Sequence, residues 1–231
     1  MSDAKDEPKP RERAEPLTEQ AYRELEERIV TLSLEPGTLL SEQHLVDQTG
    51  LGRTPIREAL QRLAGEGLVI IMPRRGIRVA EADPRKQLLV LEVRRELERL
   101  LCRLAAARAT REQRSDFSRI AAGMQRAAET ADDLTFLRLD RELNTLLIEA
   151  AQNEYAMRSM RLLQGHSRRF WYMHYREAAD LPLCARLHAE QARAIAEGDA
   201  DRAAASSDRL IDYTETFTRT AAGSAGRQRR P

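Results

Sequence analysis

The chain has 231 residues, enough for one large domain or two small ones, and 42% of them are hydrophobic, which is sufficient to build a core. Its 38 basic and 37 acidic residues leave a net charge of +1, so any affinity for nucleic acid must come from local patches. The two cysteines, Cys102 and Cys184, stand far apart without a CxxC spacing, which argues against a structural zinc site or a disulfide framework. No apolar stretch approaches about 18 residues, so we expect a cytoplasmic protein without a membrane span or signal peptide.

The beginning of the chain predicts a disordered arm and then two helices. Residues 1–16 are charged and proline-bearing with almost no apolar side chains, a composition typical of disorder. Helices are predicted over 18–34 and over 41–49, with Thr18 and Ser41 as their N-caps. The second of these helices ends at a glycine, and a tight link follows it.

A third helix begins in the run Arg53-Thr54-Pro55, with Thr54 as the predicted N-cap and proline at the first helical position. Its apolar face consists of Ile56, Ala59, Leu60 and Leu63. Another face carries Arg53, Arg57 and Gln61 at i, i+4 and i+8. Arginine and glutamine match the edges of guanine and adenine in the major groove, so this helix is the predicted reader of DNA bases. A solvated helix face would show the same pattern, and the flanking segments therefore decide between the two.

The segment after this helix predicts a β-hairpin. The runs 68–72 and 77–79 are rich in β-formers, and Pro73-Arg74-Arg75-Gly76 between them is typical of a turn. A small hairpin behind a helix-turn-helix is a wing. We expect Arg74 and Arg75 at its tip to meet phosphates and Gly76 to allow close approach of the backbone to DNA.

The rest of the chain reads as helices alone. A short linker is predicted at 81–84, and an all-helical domain at 85–220. Its helices are predicted at 85–109, 111–130, 133–151, 153–178, 182–197 and 200–219. The expected buried stripe of the first of these helices consists of Val93, Leu97, Leu100, Leu101 and Leu104. Long helices with tight links favour antiparallel packing in a bundle. Residues 221–231 are expected to be a disordered tail. The predicted fold class is mostly α, with an N-terminal winged helix-turn-helix and a C-terminal antiparallel all-helical bundle.

Residues 17–80 resemble the winged helix-turn-helix of the GntR superfamily of bacterial regulators. The phrases that carry the resemblance are Glu35-Pro36-Gly37-Thr38-Leu39-Leu40-Ser41-Glu42, Arg53-Thr54-Pro55-Ile56-Arg57-Glu58-Ala59-Leu60, Gly65-Glu66-Gly67-Leu68-Val69 and Pro73-Arg74-Arg75-Gly76. The resemblance implies DNA contacts at Gln43, Arg53, Thr54, Arg57 and Gly76. Relatives often carry arginine at the first of these positions. Gly52 stands where relatives usually carry Ser or Thr, so one phosphate contact is in doubt.

Residues 85–220 resemble the FCD effector domain of the FadR subgroup, an all-helical ligand sensor and dimerisation module. The phrases are Glu92-Val93-Arg94 with Leu97-Glu98, Arg108-Ala109-Thr110, Asp140 through Asn153, and His188 with Ala194-Ile195 and Gly198-Asp199. The resemblance implies a homodimer and a small-molecule effector, an organic acid or related carboxylate.

Many relatives bind a divalent metal, zinc or similar, through one aspartate and three histidines. By the resemblance the aspartate falls on Asp140 and one histidine on His188, whereas the other two positions carry Asn144 and Leu210. The candidate metal ligands are therefore Asp140, Asn144 and His188, an incomplete set. A hydrogen-bonded Asp–His pair inside a metal-free pocket is the alternative, because a buried carboxylate needs a partner.

The candidate effector-binding residues are Arg94, Asn144 and His188. A guanidinium at Arg94 could grip a carboxylate with two parallel bonds, although an ion pair with Glu98 explains this residue equally well. A cluster of arginines and aromatics on the fourth bundle helix, around Arg168 and Trp171, could line a ligand pocket or a dimer seam.

Taken together, the sequence predicts a ligand-responsive, DNA-binding transcriptional regulator and not an enzyme. We expect a homodimeric repressor that a small carboxylate releases from its double-stranded operator. One alternative is a metal-dependent enzyme built on the bundle, although no paired carboxylates, no nucleophile with a base and no phosphate loop support it. The other is an architectural DNA-binding protein without an effector.

Overall fold

The structure is a computed structural model that describes residues 16–228. The predicted arm at 1–16 therefore lies outside the described residues except for its last position, as do residues 229–231 of the predicted tail. Within the described part, the predicted fold class is confirmed. The elements in order are α1 Leu17–Val30, β1 Leu39–Leu40, α2 Glu42–Thr49, α3 Arg53–Gly65, β2 Val69–Met72, β3 Gly76–Val79, α4 Pro84–Arg108, α5 Arg111–Thr130, α6 Asp133–Ala151, α7 Glu154–Ala178, α8 Leu181–Glu197 and α9 Ala200–Gln228.

The winged helix-turn-helix has its own core, formed where α1, α2, α3 and the sheet meet. The predicted apolar face of α3 is buried at all four positions. It packs with Ala21, Leu25, Ile29, Leu45, Leu68 and Val79. This burial leaves the opposite side of α3 in solvent, which is the side that carries the arginines.

The sheet has three antiparallel strands in the order β1-β3-β2. The hairpin of β2 and β3 was predicted, but β1 was missed because two residues show no alternation. β1 explains why Gly76 is glycine: its φ is +91°, and a Cβ added there would lie 2.8 Å from the Leu40 carbonyl oxygen. The glycine therefore admits the third strand beside the wing.

Two predicted N-caps are wrong. The N-cap of α1 is Pro16, and Thr18 instead donates its hydroxyl to Glu58 Oε2 at 2.7 Å. The N-cap of α3 is Gly52, and the helix already includes Thr54, because the extended backbone at the glycine begins the helix earlier. The caps of α2 are as predicted, since Ser41 Oγ accepts from the His44 amide at 3.1 Å.

The end of α1 also differs from the prediction. The helix stops at Val30 and not at residue 34. Leu32 adopts a φ of +61°, and the amide of Leu34 turns back to donate to the Arg28 carbonyl at 2.9 Å. A left-handed residue with such a backward bond is a usual way to end a helix, here without glycine.

The bundle buries one large core, in which α4 packs against α9 and α5 against α8. Most of its helices start at a residue whose side chain accepts a hydrogen bond from an amide of the first turn, namely Asp83, Thr110, Asp132, Asn153 and Asp180. These caps explain why the predicted boundaries are close to the observed ones.

The last helix is the exception, because α9 runs to Gln228 and not to residue 219. Ala221 is buried beside Phe170 and Phe217, so packing continues past the predicted end. The prediction of a disordered tail does not hold for residues 221–228.

Part of the predicted stripe of α4 is wrong. Val93 and Leu100 were expected to be buried, but their side chains are 52% and 42% exposed, and Leu89 is 62% exposed. The three lie on one side of the helix, which we call the α4 apolar face. Throughout residues 16–228, every helix is too short or too polar to span a bilayer.

Candidate functional site

The predicted DNA-contacting side chains all lie at the surface of the winged helix-turn-helix. Gln43 on α2 and the α3 residues Arg53, Thr54, Arg57 and Gln61 are exposed. Arg74 and Arg75 are exposed in the turn between β2 and β3, and Gly76 is half-buried at the start of β3. The surface therefore combines a helix that fits a major groove with a wing tip of two arginines.

The structure brings two of these residues, Arg53 and Arg57, into contact with the start of α2. Arg53 Nη2 donates to Gln43 Oε1 at 2.5 Å. Arg57 is held by two bonds to Glu42, from Nε to Oε1 at 3.1 Å and from Nη2 to Oε2 at 2.8 Å. The hydrogen bond from Arg57 lowers the pKa of the Glu42 carboxyl, which is therefore charged at neutral pH.

Glu42 was not predicted as a functional residue. Its carboxylate occupies the fork of donors that Arg57 would present to guanine. Arg57 must therefore leave Glu42 to make that contact, or contact DNA with its remaining donors. The only signal in the sequence was an acidic residue directly after the Ser41 cap, which the helix dipole explains by itself.

A second cluster of side chains lies inside the bundle and lines a cavity of about 60 Å³, which we call the bundle pocket. It is lined by every predicted effector or metal residue together with the arginine and tryptophan of α7. These residues are Arg94, Asp140, Asn144, Arg168, Trp171, His188 and Leu210. Helices α4, α6, α7, α8 and α9 each contribute to it.

The polar residues of the bundle pocket bond to one another. His188 Nε2 lies 3.2 Å from Asp140 Oδ1, and His188 Nδ1 donates to the Cys184 carbonyl oxygen at 2.8 Å. Asn144 Nδ2 donates to the carbonyl and the carboxylate of Asp140, at 2.8 and 3.1 Å. The predicted Asp–His hydrogen bond is therefore present.

The charges of this pair are set by burial and by mutual contact. Burial would lower the pKa of His188, but the hydrogen bond and charge of Asp140 raise that pKa well above its ordinary value. Burial would raise the pKa of Asp140, yet His188 and the charges of Arg168 and Arg94 lower it. An imidazolium–carboxylate pair results.

Of the two interpretations of Arg94, the structure shows the ion pair with Glu98. Arg94 lines the bundle pocket, and its guanidinium donates to Glu98 Oε1 from Nε at 2.8 Å and also from Nη2. Glu98 is 3% exposed, so the carboxylate is buried and holds the arginine at the pocket wall.

The donor set of the bundle pocket does not fit a divalent metal. Imidazole and carboxylate already satisfy each other, the amide of Asn144 turns its NH₂ toward Asp140, and Leu210 has no ligand atom. Within residues 16–228, no three His, Cys, Asp or Glu side chains are grouped so that they could hold an ion.

The same pocket also lacks an activated nucleophile. Cys184 Sγ lies 3.7 Å from His188 Nδ1, but that nitrogen gives its proton to a backbone carbonyl. Burial raises the pKa of the Cys184 thiol, so the thiolate that a nucleophile requires is disfavoured.

Two family models match the chain. The model "Bacterial regulatory proteins, gntR family" matches residues 17–79, and the model "FCD domain" matches residues 89–213. The chain belongs to the gntR family of regulators with an FCD domain. It is a transcriptional regulator that binds DNA, and not an enzyme.

Relatives and solved structures agree with this assignment. The chain is 28% identical over 187 residues to the HTH-type transcriptional repressor RspR of Escherichia coli, covering 81% of this chain and 82% of that one. It is 31% identical over 141 residues to the Nta operon transcriptional regulator of Aminobacter aminovorans, covering 60% of this chain and 66% of that one. The structure of E. coli McbR/YncC shares the fold, with a TM-score of 0.76 at 20% identity over 89% of this chain and 98% of that one.

The position of Arg57 leads to a test of base reading. We expect Arg57→Ala to weaken binding to the specific operator by roughly 1–3 kcal/mol and to relax base preference. Arg75→Ala should instead weaken binding to all sequences and lower the slope of log K against log salt by about one. Fluorescence anisotropy on operator and scrambled duplexes at several salt concentrations measures both. Equal loss on both duplexes for Arg57→Ala would show that this arginine is a phosphate contact.

Proposed function

We propose that this regulator is a repressor that a small organic acid releases from its operator. In this proposal Arg53, Arg57 and Gln61 read bases, assisted by Gln43 and Thr54, while Arg74, Arg75 and Gly76 hold the phosphate backbone. The acid binds in the bundle pocket beside Arg94, Asn144 and His188. The relative RspR is named a transcriptional repressor, which agrees with this direction of regulation.

One contact carries the link between the bundle pocket and DNA. Arg168 lines that pocket, and its Nη1 donates to Glu26 Oε1 at 2.5 Å. Glu26 belongs to α1 of the winged domain and is only 5% exposed. The same guanidinium therefore serves both the pocket and the contact between the two domains.

Glu26 depends on this guanidinium for its charge balance. A further cationic neighbour is more distant, since Arg141 Nη2 lies 4.0 Å from Glu26 Oε2. The charge of Glu26 also contributes to raising the pKa values of Tyr22 and Glu66, so these groups are within its field. A buried carboxylate that loses its partner next to another acid is strongly destabilised.

An anionic effector would compete with Glu26 for Arg168. Arg94, Arg168 and His188 are the cationic groups of the bundle pocket, and they are paired with Glu98, Glu26 and Asp140 respectively. In this proposal an acid binds by exchanging with one of these carboxylates. The cavity of about 60 Å³ is well below the roughly 300–1,000 Å³ of ordinary ligand pockets. Entry of an effector must therefore open the pocket, and moving Arg168 is one way to do so.

Loss of the bond between Arg168 and Glu26 would change the position of the DNA-binding surface. Helix α1 is tied to α3 through Thr18 and Glu58, and through Arg62, which bonds to Glu19 at 2.8 Å and lies 3.4 Å from the Tyr22 ring centre. A shift of α1 would carry α3 with it. The effector thus favours one arrangement of the winged domains over another, as any effector must.

We also propose a homodimer, with the second copy seated on the α4 apolar face. Leu89, Val93 and Leu100 are large side chains in solvent on one side of a long helix. Exposed apolar patches of this kind mark interaction sites. Two copies would present two recognition helices to the half-sites of a pseudo-palindromic operator.

The link through Arg168 can be tested by measuring both the affinity for the acid and the release of DNA. Carboxylates of two to six carbons are screened by thermal shift, and those that release the operator are retained. We expect Glu26→Gln to bind such an acid several-fold more tightly, since no charged competitor for Arg168 remains. We also expect this variant to release DNA less completely, because the acid no longer breaks an ion pair that holds α1. Glu27→Gln, a change at an exposed neighbour, is the matched control. Equal affinity of the acid for wild type and Glu26→Gln would reject the link.

Because the residues of the bundle pocket do not form a set of metal ligands, we predict how the protein responds to zinc after treatment with a chelator. We expect Zn²⁺ to leave the unfolding free energy of the wild type unchanged, whereas a bound ion at a hundred-fold excess over Kd would add about 2.7 kcal/mol. Asn144→His combined with Leu210→His restores the ligand set of the resembled family and should gain that stabilisation. Chemical denaturation with EDTA or Zn²⁺ distinguishes the two proteins. Zinc-dependent stabilisation of the wild type would contradict a metal-free pocket.

The dimer surface is tested at Val93. Val93→Glu places a charge in the α4 apolar face and should convert a dimer to a monomer in sedimentation velocity, with weaker operator binding as a consequence. Glu92→Gln, at the adjacent exposed position, should leave the assembly unchanged. A dimer that survives Val93→Glu would place the subunit contact elsewhere.

A further inference from the structure

A second cavity lies between the winged domain and the bundle, away from the bundle pocket. Its volume is about 340 Å³, within the range of small-molecule sites. It is bounded by the wing, by the linker at 80–83, by the start of α4 and by one side of α7. We call it the inter-domain cavity, and neither the DNA surface nor the proposed effector site makes use of it.

Three cations from three different elements line the inter-domain cavity. They are Arg78 of β3, Lys86 of α4 and Arg169 of α7. Arg169 is only 2% exposed, which is unusual for an arginine. Its Nη1 and Nη2 donate to the backbone carbonyls of Ala80 and Glu81, at 2.7 and 3.2 Å.

The positive charge of Arg169 is incompletely compensated. Among the described residues, no carboxylate bonds to its guanidinium, and its buried Nε has no hydrogen-bond partner. Burial lowers the pKa of Arg169, and the charge of Glu81 opposes this only in part. A buried cation in such surroundings is stabilised by any anion that reaches it.

Two acids, Glu81 and Asp83, also line the cavity, so three cations face two carboxylates there. Asp83 caps α4, where its Oδ1 accepts from the Arg85 amide at 2.9 Å. The Glu81 carboxylate lies against Gly37, with Oε1 3.0 Å from the position of a Cβ there. The pKa of His166 is affected by these positive charges. Burial lowers this pKa, the bond to the Glu66 carbonyl raises it, and the charges of Arg169 and Lys86 lower it further.

Part of the remaining wall is apolar, beside the polar side chains of Gln87 and His166. Ile70 on the wing is 43% exposed, and it faces the same cavity as Val90 and Phe170. An exposed isoleucine on a short strand is costly in water, and a ligand with an apolar part would cover it. Cationic and apolar walls together define an amphipathic anion as the matching ligand.

We propose that the inter-domain cavity binds a small metabolite that carries a phosphate or carboxylate group and a short apolar tail. The anionic group lies between Lys86, Arg78 and the buried Arg169, and the tail lies against Ile70 and Val90. This site is separate from the bundle pocket. Because its walls belong to both domains, an occupant stabilises the docked arrangement of the winged domain, the opposite of an acid that competes for Arg168.

The test uses the full chain with two probes, inorganic phosphate for the anionic group and benzoate for the complete amphipathic ligand. Titration calorimetry and thermal shift are carried out at constant ionic strength against chloride. We expect saturable binding of both probes, tighter for benzoate. Lys86→Ala should weaken both by about tenfold, whereas Arg85→Ala, one residue earlier, exposed and outside the cavity, should change neither.

A second variant separates the two walls. Ile70→Ala should weaken benzoate several-fold and leave phosphate unchanged, because only benzoate reaches the apolar wall. Phosphate also stabilises proteins generally through exclusion from their surface. An equal rise in melting temperature for wild type, Lys86→Ala and Arg85→Ala would therefore overturn the proposal, as would the absence of saturable heat with both probes. If phosphate binds tightly and Ile70→Ala leaves the affinity for benzoate unchanged, the proposed contact between an apolar tail and Ile70 is wrong.

Discussion

Compensation of buried charge at the contact between the two domains is the constraint on which this structure depends. Glu26 from α1 and Arg168 from α7 are both largely withdrawn from water and meet at 2.5 Å. Breaking such a pair is far more costly than an exposed salt bridge, because the remaining charge stays buried. The orientation of the winged domain on the bundle is therefore tied to where the side chain of Arg168 points.

Helix α7 distributes its side chains between two cavities. Arg168 and Trp171 face the bundle pocket, whereas His166, Arg169 and Phe170 face the inter-domain cavity. The helical period alone separates these sets, since residues one or two apart point in different directions. One helix thus lines both cavities and contacts the DNA-binding domain through Arg168 and Glu26.

The bundle pocket shows how a site that resembles a metal centre is satisfied by other means. Two histidine positions of the resembled family carry Asn144 and Leu210, and the remaining acid and imidazole neutralise each other. Asn144 adds two bonds to Asp140, so the buried carboxylate has the partners that a metal would have supplied. What remains for a ligand is the group of arginines at the pocket wall, each already engaged by a buried glutamate.

The two-domain organisation, the helices of the bundle, the wing and the surface expected to meet DNA could all be predicted from the amino-acid sequence. These follow from short-range rules: apolar periodicity, capping residues and turn residues act within a few positions of one another.

Such rules also led to errors. Thr18 and Thr54 looked like caps, although the backbone started the helices earlier, and Val93 and Leu100 looked buried because periodicity does not reveal which stripe finds a partner. The candidate pocket residues came from resemblance, and the fold brings them together.

Three contacts became visible only in the folded chain. Glu42 holds Arg57, Arg168 bonds to Glu26 across 142 positions, and Arg169 is buried beside a second cavity. No local pattern encodes such contacts, because the energy of a buried charge depends on what the rest of the chain places around it.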